Sequence, residues 1–282
     1  MNYRHAYHAG NIGDVLKHTV LSRLIVYFKR KDKAFRVFDT HAGIGRYDLT
    51  SVETQKTGEW QQGIGRILAA DIPAPVGELL APWLDVVRAL NPDGGLKLYP
   101  GSPVLARSLM RSNDRLTLTE LHPADFKTLS DLFTGDHQVK TIHLDGWLAL
   151  GGFLPPKEKR GLVLIDPAFE ETGEFERMTE AVVGGWKKWP GGTYAIWYPL
   201  KDARAVRRMH ETFRESGLRD VLTLELNTGK SGPDMRMLGS GMTLINAPFT
   251  LDGEMRVVLP WLSDVLHLGP GAGWNVTQLI GE

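Results

Sequence analysis

The chain has 282 residues, 33 basic and 33 acidic side chains, 42% hydrophobic residues and no cysteine. Such a composition buries a full core, which excludes a disordered or fibrous protein, and the missing thiols exclude disulfides, thiolate metal sites and cysteine nucleophiles. Balanced charge removes any long-range pull on nucleic acid, so contacts of that kind must come from local patches.

The opening residues MNYRHAYHAGNIGD hold no apolar signal core, and no stretch approaches the length of a membrane span. A soluble cytoplasmic protein is expected, with no membrane partner, and the absence of cysteine suits a reducing compartment. Residues 14–30 place Leu16, Val20, Leu24 and Phe28 on one helical face, with Asn11 as cap and Asp14 well set for the helix dipole. Strands are predicted at 35–39, 116–120, 140–145, 162–166, 193–197, 221–226 and 242–245, with helices between them. Seven strands alternating with helices make a doubly wound, mostly parallel sheet. About 75 residues separate the first two strands, whereas a strand-helix-strand unit needs roughly 30. Residues 47–98 are therefore expected to form a small helical subdomain inserted into a main domain of residues 1–46 and 99–282. Trp60, Ile64, Ile67 and Leu68 fit one of its helices, and Trp83, Leu84, Val87 and Leu90 fit another. In YPGSPVLARSLM, which follows, Ser102 is expected to cap a helix and Pro103 to fill its first position. The free N–H groups of Gly101 and Ser102 could then hold a carboxylate at the mouth of the first strand.

The carboxyl ends of four strands carry the chemistry: FDTHAGIGRY, LTLTELHP, IHLDGW and LIDPAFE. Ligands of open α/β sheets gather at these ends. A dinucleotide fingerprint fails, because Asp48 stands where the third glycine belongs, and the GKS at 229–231 has Leu224 in place of the leading glycine of a P-loop. S-adenosylmethionine uses all four ends. Its ribose wants an acid after the second strand (Glu120), its adenine amine an acceptor after the third (Asp145 with Gly146), and its methionine part a tight turn after the first (His41 to Gly45). For His41 the bland reading is that it only tidies the turn, and for Asp166-Pro167 that the pair merely ends a strand.

LIDPAFE looks like a variant of the D-P-P-[YF] signature of amino methyltransferases. The blocks YRHAYHAGNIGDVLKHTV, FDTHAGIGRYDL, YPGSP, TELHP, GTYAIWYP and SGMTLINAPF resemble the RlmJ family, which methylates adenine N6 in bacterial 23S ribosomal RNA. The resemblance runs from Tyr3 nearly to the C-terminus and departs at Ala168, where the signature has a second proline. It implies a Rossmann-like class I methyltransferase fold, with a cofactor pocket drawing on His18, His41, Ser102, Glu120, Asp145, Gly146 and Asp166. It also implies Asp166 as catalytic carboxylate and Tyr3 as a contact to the target nucleotide.

For attack on a sulfonium methyl, the adenine amine must turn toward tetrahedral geometry while positive charge builds on it. The Asp166 carboxylate and the Pro167 carbonyl could each accept one amine N–H, and Phe169 could stack on the extruded base or simply belong to the core. Lys17 either faces RNA phosphate or closes the site electrostatically. Arg4, His5 and His8 near the tail, residues 29–33, and Lys157, Lys159 and Arg160 are further candidates for RNA contact. A metal at His5-x-x-His8 lacks a third ligand and no metal is expected, while a monomer is favoured. Two rivals remain: a methyltransferase acting on a small molecule or another nucleic-acid amine, and a catalytically weak RNA-binding relative.

Overall fold

A computed structural model of the protein describes residues 5–229 and 239–281. After a short 3-10 turn at His5–Tyr7, helix α1 (Ile12–Phe28) is capped by Asn11, whose side chain accepts the Asp14 N–H at 3.0 Å. Every residue from Ile12 to Ile25 is buried. The expected single apolar face is thus too narrow: this helix is enclosed on all sides, which explains why Thr19, Ser22 and Lys17 lie in it without reaching solvent. Strand β1 (Arg36–Asp39) follows, and then the short β2 (Arg46–Asp48).

The next segment contributes α2 (Val52–Thr57), α3 (Glu59–Gln62), α4 (Ile64–Ala69) and α5 (Ala74–Ala89), and it returns through β3 (Leu98–Pro100), which pairs antiparallel with β2. The helix expected through Trp60 and Leu68 is broken at Gly63. There the Ile64 N–H bonds the Gly10 carbonyl at 2.9 Å, and a Cβ on Gly63 would lie 2.1 Å from that oxygen. Ile64, Ile67, Leu80, Trp83, Leu84 and Val87 are buried in the same core cluster as Leu16, Leu24 and Leu116. The segment therefore forms an extra layer over α1.

The remaining elements are α6 (Ser102–Leu109), β4 (Arg115–Glu120), α7 (Pro123–Leu132), β5 (Val139–His143), α8 (Gly146–Gly152), β6 (Gly161–Ile165), α9 (Glu174–Lys188), β7 (Thr193–Pro199), α10 (Ala203–Glu215), β8 (Val221–Thr228), β9 (Gly239–Ile245), α11 (Leu251–Leu266) and β10 (Ala272–Ile280). The main sheet runs β10-β8-β9-β7-β6-β1-β4-β5. Pairs from β5 through β7 are parallel, whereas β9 runs against both β7 and β8, and β10 runs against β8. This is the Rossmann-like class I methyltransferase architecture, with eight strands in the main sheet where the sequence predicts seven. The unforeseen strand, β10, is an edge strand in which Val276 alone is buried, so little apolar alternation marks it.

β1 lies at the centre of the five parallel strands and pairs on either side with β4 and β6. The chain order reverses on its two flanks, which opens a crevice beyond the carboxyl ends of these strands. Asp39, Glu120, Asp145 and Asp166 all stand at or just past those ends.

Candidate active site

The turn after β1 is built around the Glu120 carboxylate. One oxygen accepts the Gly43 N–H and the other the His122 N–H, both at 2.8 Å. Gly43 has φ +59, and a Cβ there would fall 2.3 Å from the Tyr47 hydroxyl, so only glycine brings its N–H to Glu120 unstrained. Burial pushes the Glu120 pKa up despite these two donors. Each carboxylate oxygen keeps a lone pair for a ligand hydroxyl. Asp145 caps α8 by accepting the Trp147 N–H at 2.7 Å, and a Cβ on Gly146 would strike the Thr40 carbonyl at 2.2 Å. The His41 ring stands edge-on to Trp147 at 4.7 Å with Nδ1 2.8 Å from the Thr40 hydroxyl, and burial lowers its pKa to about 4.

Ser102 does not cap α6. It is the first helical residue, Gly101 is the cap, and the Ser102 hydroxyl donates to Asp39 Oδ2 at 2.6 Å. The hydroxyl proton is directed to a buried carboxylate, and an ionised acceptor roughly doubles hydrogen-bond strength. Burial raises the Asp39 pKa to about 6 against the Ser102 bond. His18 is fully enclosed, with Nδ1 2.7 Å from the Tyr99 hydroxyl and Nε2 without a hydrogen-bond partner among the described residues. Burial lowers its pKa to about 3, so the ring is neutral.

Asp166 follows directly on β6 and forms an ion pair with Lys17 from α1. The same ammonium lies 2.8 Å from Asp14, which also accepts the Gly10 N–H at 2.8 Å and faces His5 at 3.1 Å. Lys17 is 3% exposed; burial pulls its pKa down, but Asp14 and Asp166 outweigh that and hold it above the ordinary range. Asp14, in turn, stays well below the usual carboxylate range, since Lys17 and His5 outweigh its burial. The Lys17 ammonium is thus engaged by two carboxylates within a buried network.

Beyond this network opens a cavity of about 640 Å³. Asp166, Ala168 and Phe169 form one wall, Trp197 and Lys201 from the end of β7 another, and His8, Glu59 and Gln62 a third. Pro167 is buried and not among the lining residues. Phe169 has φ +51, a conformation costing a bulky residue about 1–3 kcal/mol and found where surrounding structure enforces it. The residue is 8% exposed and its ring packs on Phe175 at 4.7 Å and Trp197 at 5.9 Å, so it is at once a core residue and a wall of the cavity. His8 bonds Glu59 at 3.0 Å, and Asn11 bonds the same carboxylate at 2.9 Å, which ties the chain before α1 to α3.

Tyr3 and Arg4 lie outside the described residues, as do Lys230 and Ser231 of the GKS stretch. Arg160 donates to the Phe28 and Lys33 carbonyls, and its own carbonyl accepts the Arg36 N–H at the start of β1. The basic groups at 29–33 and 157–160 therefore gather at the amino ends of the strands, away from Asp166. Sequence reasoning missed Asp39, Glu59, Trp197 and Lys201 as site residues and gave Asp14 only a dipole role. Asp39 and Lys201 carried a usable signal, since each ends or follows a predicted strand.

The set of groups at the β1, β4 and β5 ends fits S-adenosylmethionine. Glu120 offers hydroxyl acceptors, Asp145 an acceptor beside a glycine that admits no side chain, and His18 an orphaned buried nitrogen. Among the described residues no group of three or more His, Cys, Asp or Glu side chains could hold a metal ion.

Residues 32–279 match the family model described as ribosomal RNA large subunit methyltransferase D, RlmJ. The chain is 42% identical over 283 residues to the ribosomal RNA large subunit methyltransferase J of Escherichia coli K12, covering 99% of this chain and all of that one. It is 40% identical over 284 residues to the protein of the same name from Haemophilus influenzae, over the full length of both. A crystal structure of a Legionella pneumophila protein superposes with a TM-score of 0.87 at 33% identity, covering 96% of this chain and 98% of the other. The chain thus belongs to the RlmJ family of ribosomal RNA large subunit methyltransferases.

Proposed function

We propose that this protein transfers the methyl group of S-adenosylmethionine to N6 of an adenine in 23S ribosomal RNA. The observation that carries the reading is the position of Asp166, which stands between the strand ends bearing Glu120 and Asp145 on one side and the 640 Å³ cavity on the other. A cavity of that size falls within the roughly 300–1,000 Å³ of small-ligand sites, and a base must be extruded from its stack to be modified there. His18, His41, Ser102, Glu120, Asp145, Gly146 and Asp166 are proposed to hold the cofactor, which when bound supplies an electrophilic methyl on sulfur. Tyr3, Arg4, His8, Lys17, Pro167 and Phe169 are proposed to form the RNA side, with Lys17 acting through Asp166.

In this reading, Asp166 Oδ and the Pro167 carbonyl accept the two amine N–H groups. The nitrogen lone pair is thereby turned out of the ring, and the charge that builds on N6 is met by a carboxylate fixed in place by Lys17. As the N–C bond would form, the methyl–sulfur bond would break to leave a neutral thioether, and Asp166 or water would take the proton released from the amine. Residues 47–98, inserted between 1–46 and 99–282, would supply the outer wall through Thr57, Glu59, Gln61 and Gln62. We place the activity in the cytoplasm, in a monomer.

The test is incubation of the purified protein with tritiated S-adenosylmethionine and 23S rRNA from a strain lacking its own RlmJ enzyme, followed by mass mapping. One N6-methyladenine per rRNA, lost in Asp166→Asn, is the expected result. Methylation of free nucleosides with none in rRNA would replace this substrate by a small molecule, and cofactor binding without transfer to any RNA would favour a non-catalytic relative.

A further inference from the structure

We infer that Lys201 is a positioning residue for methyl transfer, acting through the backbone of Phe169; the inference rests on the reading of Asp166 and Phe169 above. Lys201 follows β7, where the Leu200 N–H is anchored to the Gly239 carbonyl at 2.9 Å. From that fixed base the ammonium donates to the Phe169 carbonyl at 2.8 Å and lies 5.8 Å from the centre of the Phe169 ring. Phe169 is one of only four non-glycine residues with positive φ among those described, and it alone of the four lines the cavity.

A left-handed aromatic residue does not hold that conformation by its own preference, since Cβ crowds the backbone there. Packing on Phe175 and Trp197 fixes the ring. Packing does not fix the peptide plane that follows it, and the carbonyl of that plane is the group Lys201 holds. The turn after Asp166 lacks the second proline of the D-P-P-[YF] signature, so Ala168 adds no ring restraint of its own. A charged donor from the turn after β7 supplies that restraint from outside the Asp166 turn. Among the described residues no carboxylate pairs with the Lys201 ammonium, so its charge is directed to this carbonyl.

The experiment compares Lys201→Met and Lys201→Arg with wild type in three measurements on the full-length protein: steady-state methylation of unmodified 23S rRNA, S-adenosylmethionine affinity by calorimetry, and hydrogen exchange of the segment 163–174. Lys201→Met is expected to lower kcat about tenfold with KM for RNA within twofold and cofactor affinity unchanged, and to speed exchange of the segment several-fold. Lys201→Arg, which retains a charged donor, is expected to restore most of both. Unchanged exchange in Lys201→Met overturns the inference. So does a loss confined to KM with a shallower salt dependence, which would make Lys201 a phosphate contact. If wild type methylates no RNA while exchange responds as described, the proposed function fails and the role of Lys201 in the turn stands.

Discussion

Replacing Lys17 by methionine tests whether the charges around Asp166 are mutually dependent. Lys17 is 3% exposed, 2.8 Å from Asp14 and in direct contact with Asp166. At 2.8 Å and an effective dielectric of about 20, the attraction to Asp14 alone is about 6 kcal/mol, most of which offsets the cost of taking the ions out of water. The variant keeps the desolvation and loses the attraction. Removing one member of a buried pair costs about 3–5 kcal/mol. Here the Gly10 N–H and His5 still face Asp14, and the Asp166 side chain is 11% exposed, so about 2–4 kcal/mol is expected. At roughly 2–4 °C per kcal/mol for a chain of this size, the melting temperature followed by circular dichroism should fall by about 4–16 °C. The double variant Asp14→Asn/Lys17→Met removes the more deeply buried of the two stranded carboxylates along with its partner and should regain at least half of that loss. A single variant melting within 2 °C of wild type, or a double variant less stable than the single, would refute the reasoning.

Glu120→Ala should weaken S-adenosylmethionine binding by about 1–3 kcal/mol in calorimetry, the usual cost of unpairing buried hydroxyls, and wild-type affinity would remove Glu120 from the cofactor site. Burial raises the folded pKa of Asp39 to about 6, so its contribution to stability is fully present below the unfolded value near 3.8 and is lost as pH rises through 6. Relative to wild type, Asp39→Asn should therefore lose about 1 kcal/mol of urea stability between pH 7 and pH 5; a pH-independent difference would mean Asp39 is ionised throughout. Ala168→Pro, which pre-sets the residue before it, should leave turnover within about tenfold of wild type, because such restraints are worth about 0.4–1 kcal/mol. An inactive wild type switched on by this proline would identify the chain as a catalytically dead relative.

Much of the architecture was open to reading in one dimension. Apolar runs at 35–39, 116–120, 140–145 and 162–166, together with the long gap after the first, reveal the doubly wound sheet and the interruption in it, because strand burial and helix periodicity are written into neighbouring residues. Carboxylates placed after successive strands mark the edge proposed as the site, because strand ends are legible in the same runs. What only the tertiary structure decided is which of those groups meet. Lys17 and Asp166 are 149 positions apart, Ser102 and Asp39 are 63, and Lys201 and Phe169 are 32, so no local pattern pairs them. The closure of α1 on all sides, the break at Gly63 and the edge strand β10 likewise depend on what packs against them. Periodicity records whether a side chain turns inward, whereas the partner it finds there is set by how distant segments fill the shared interior.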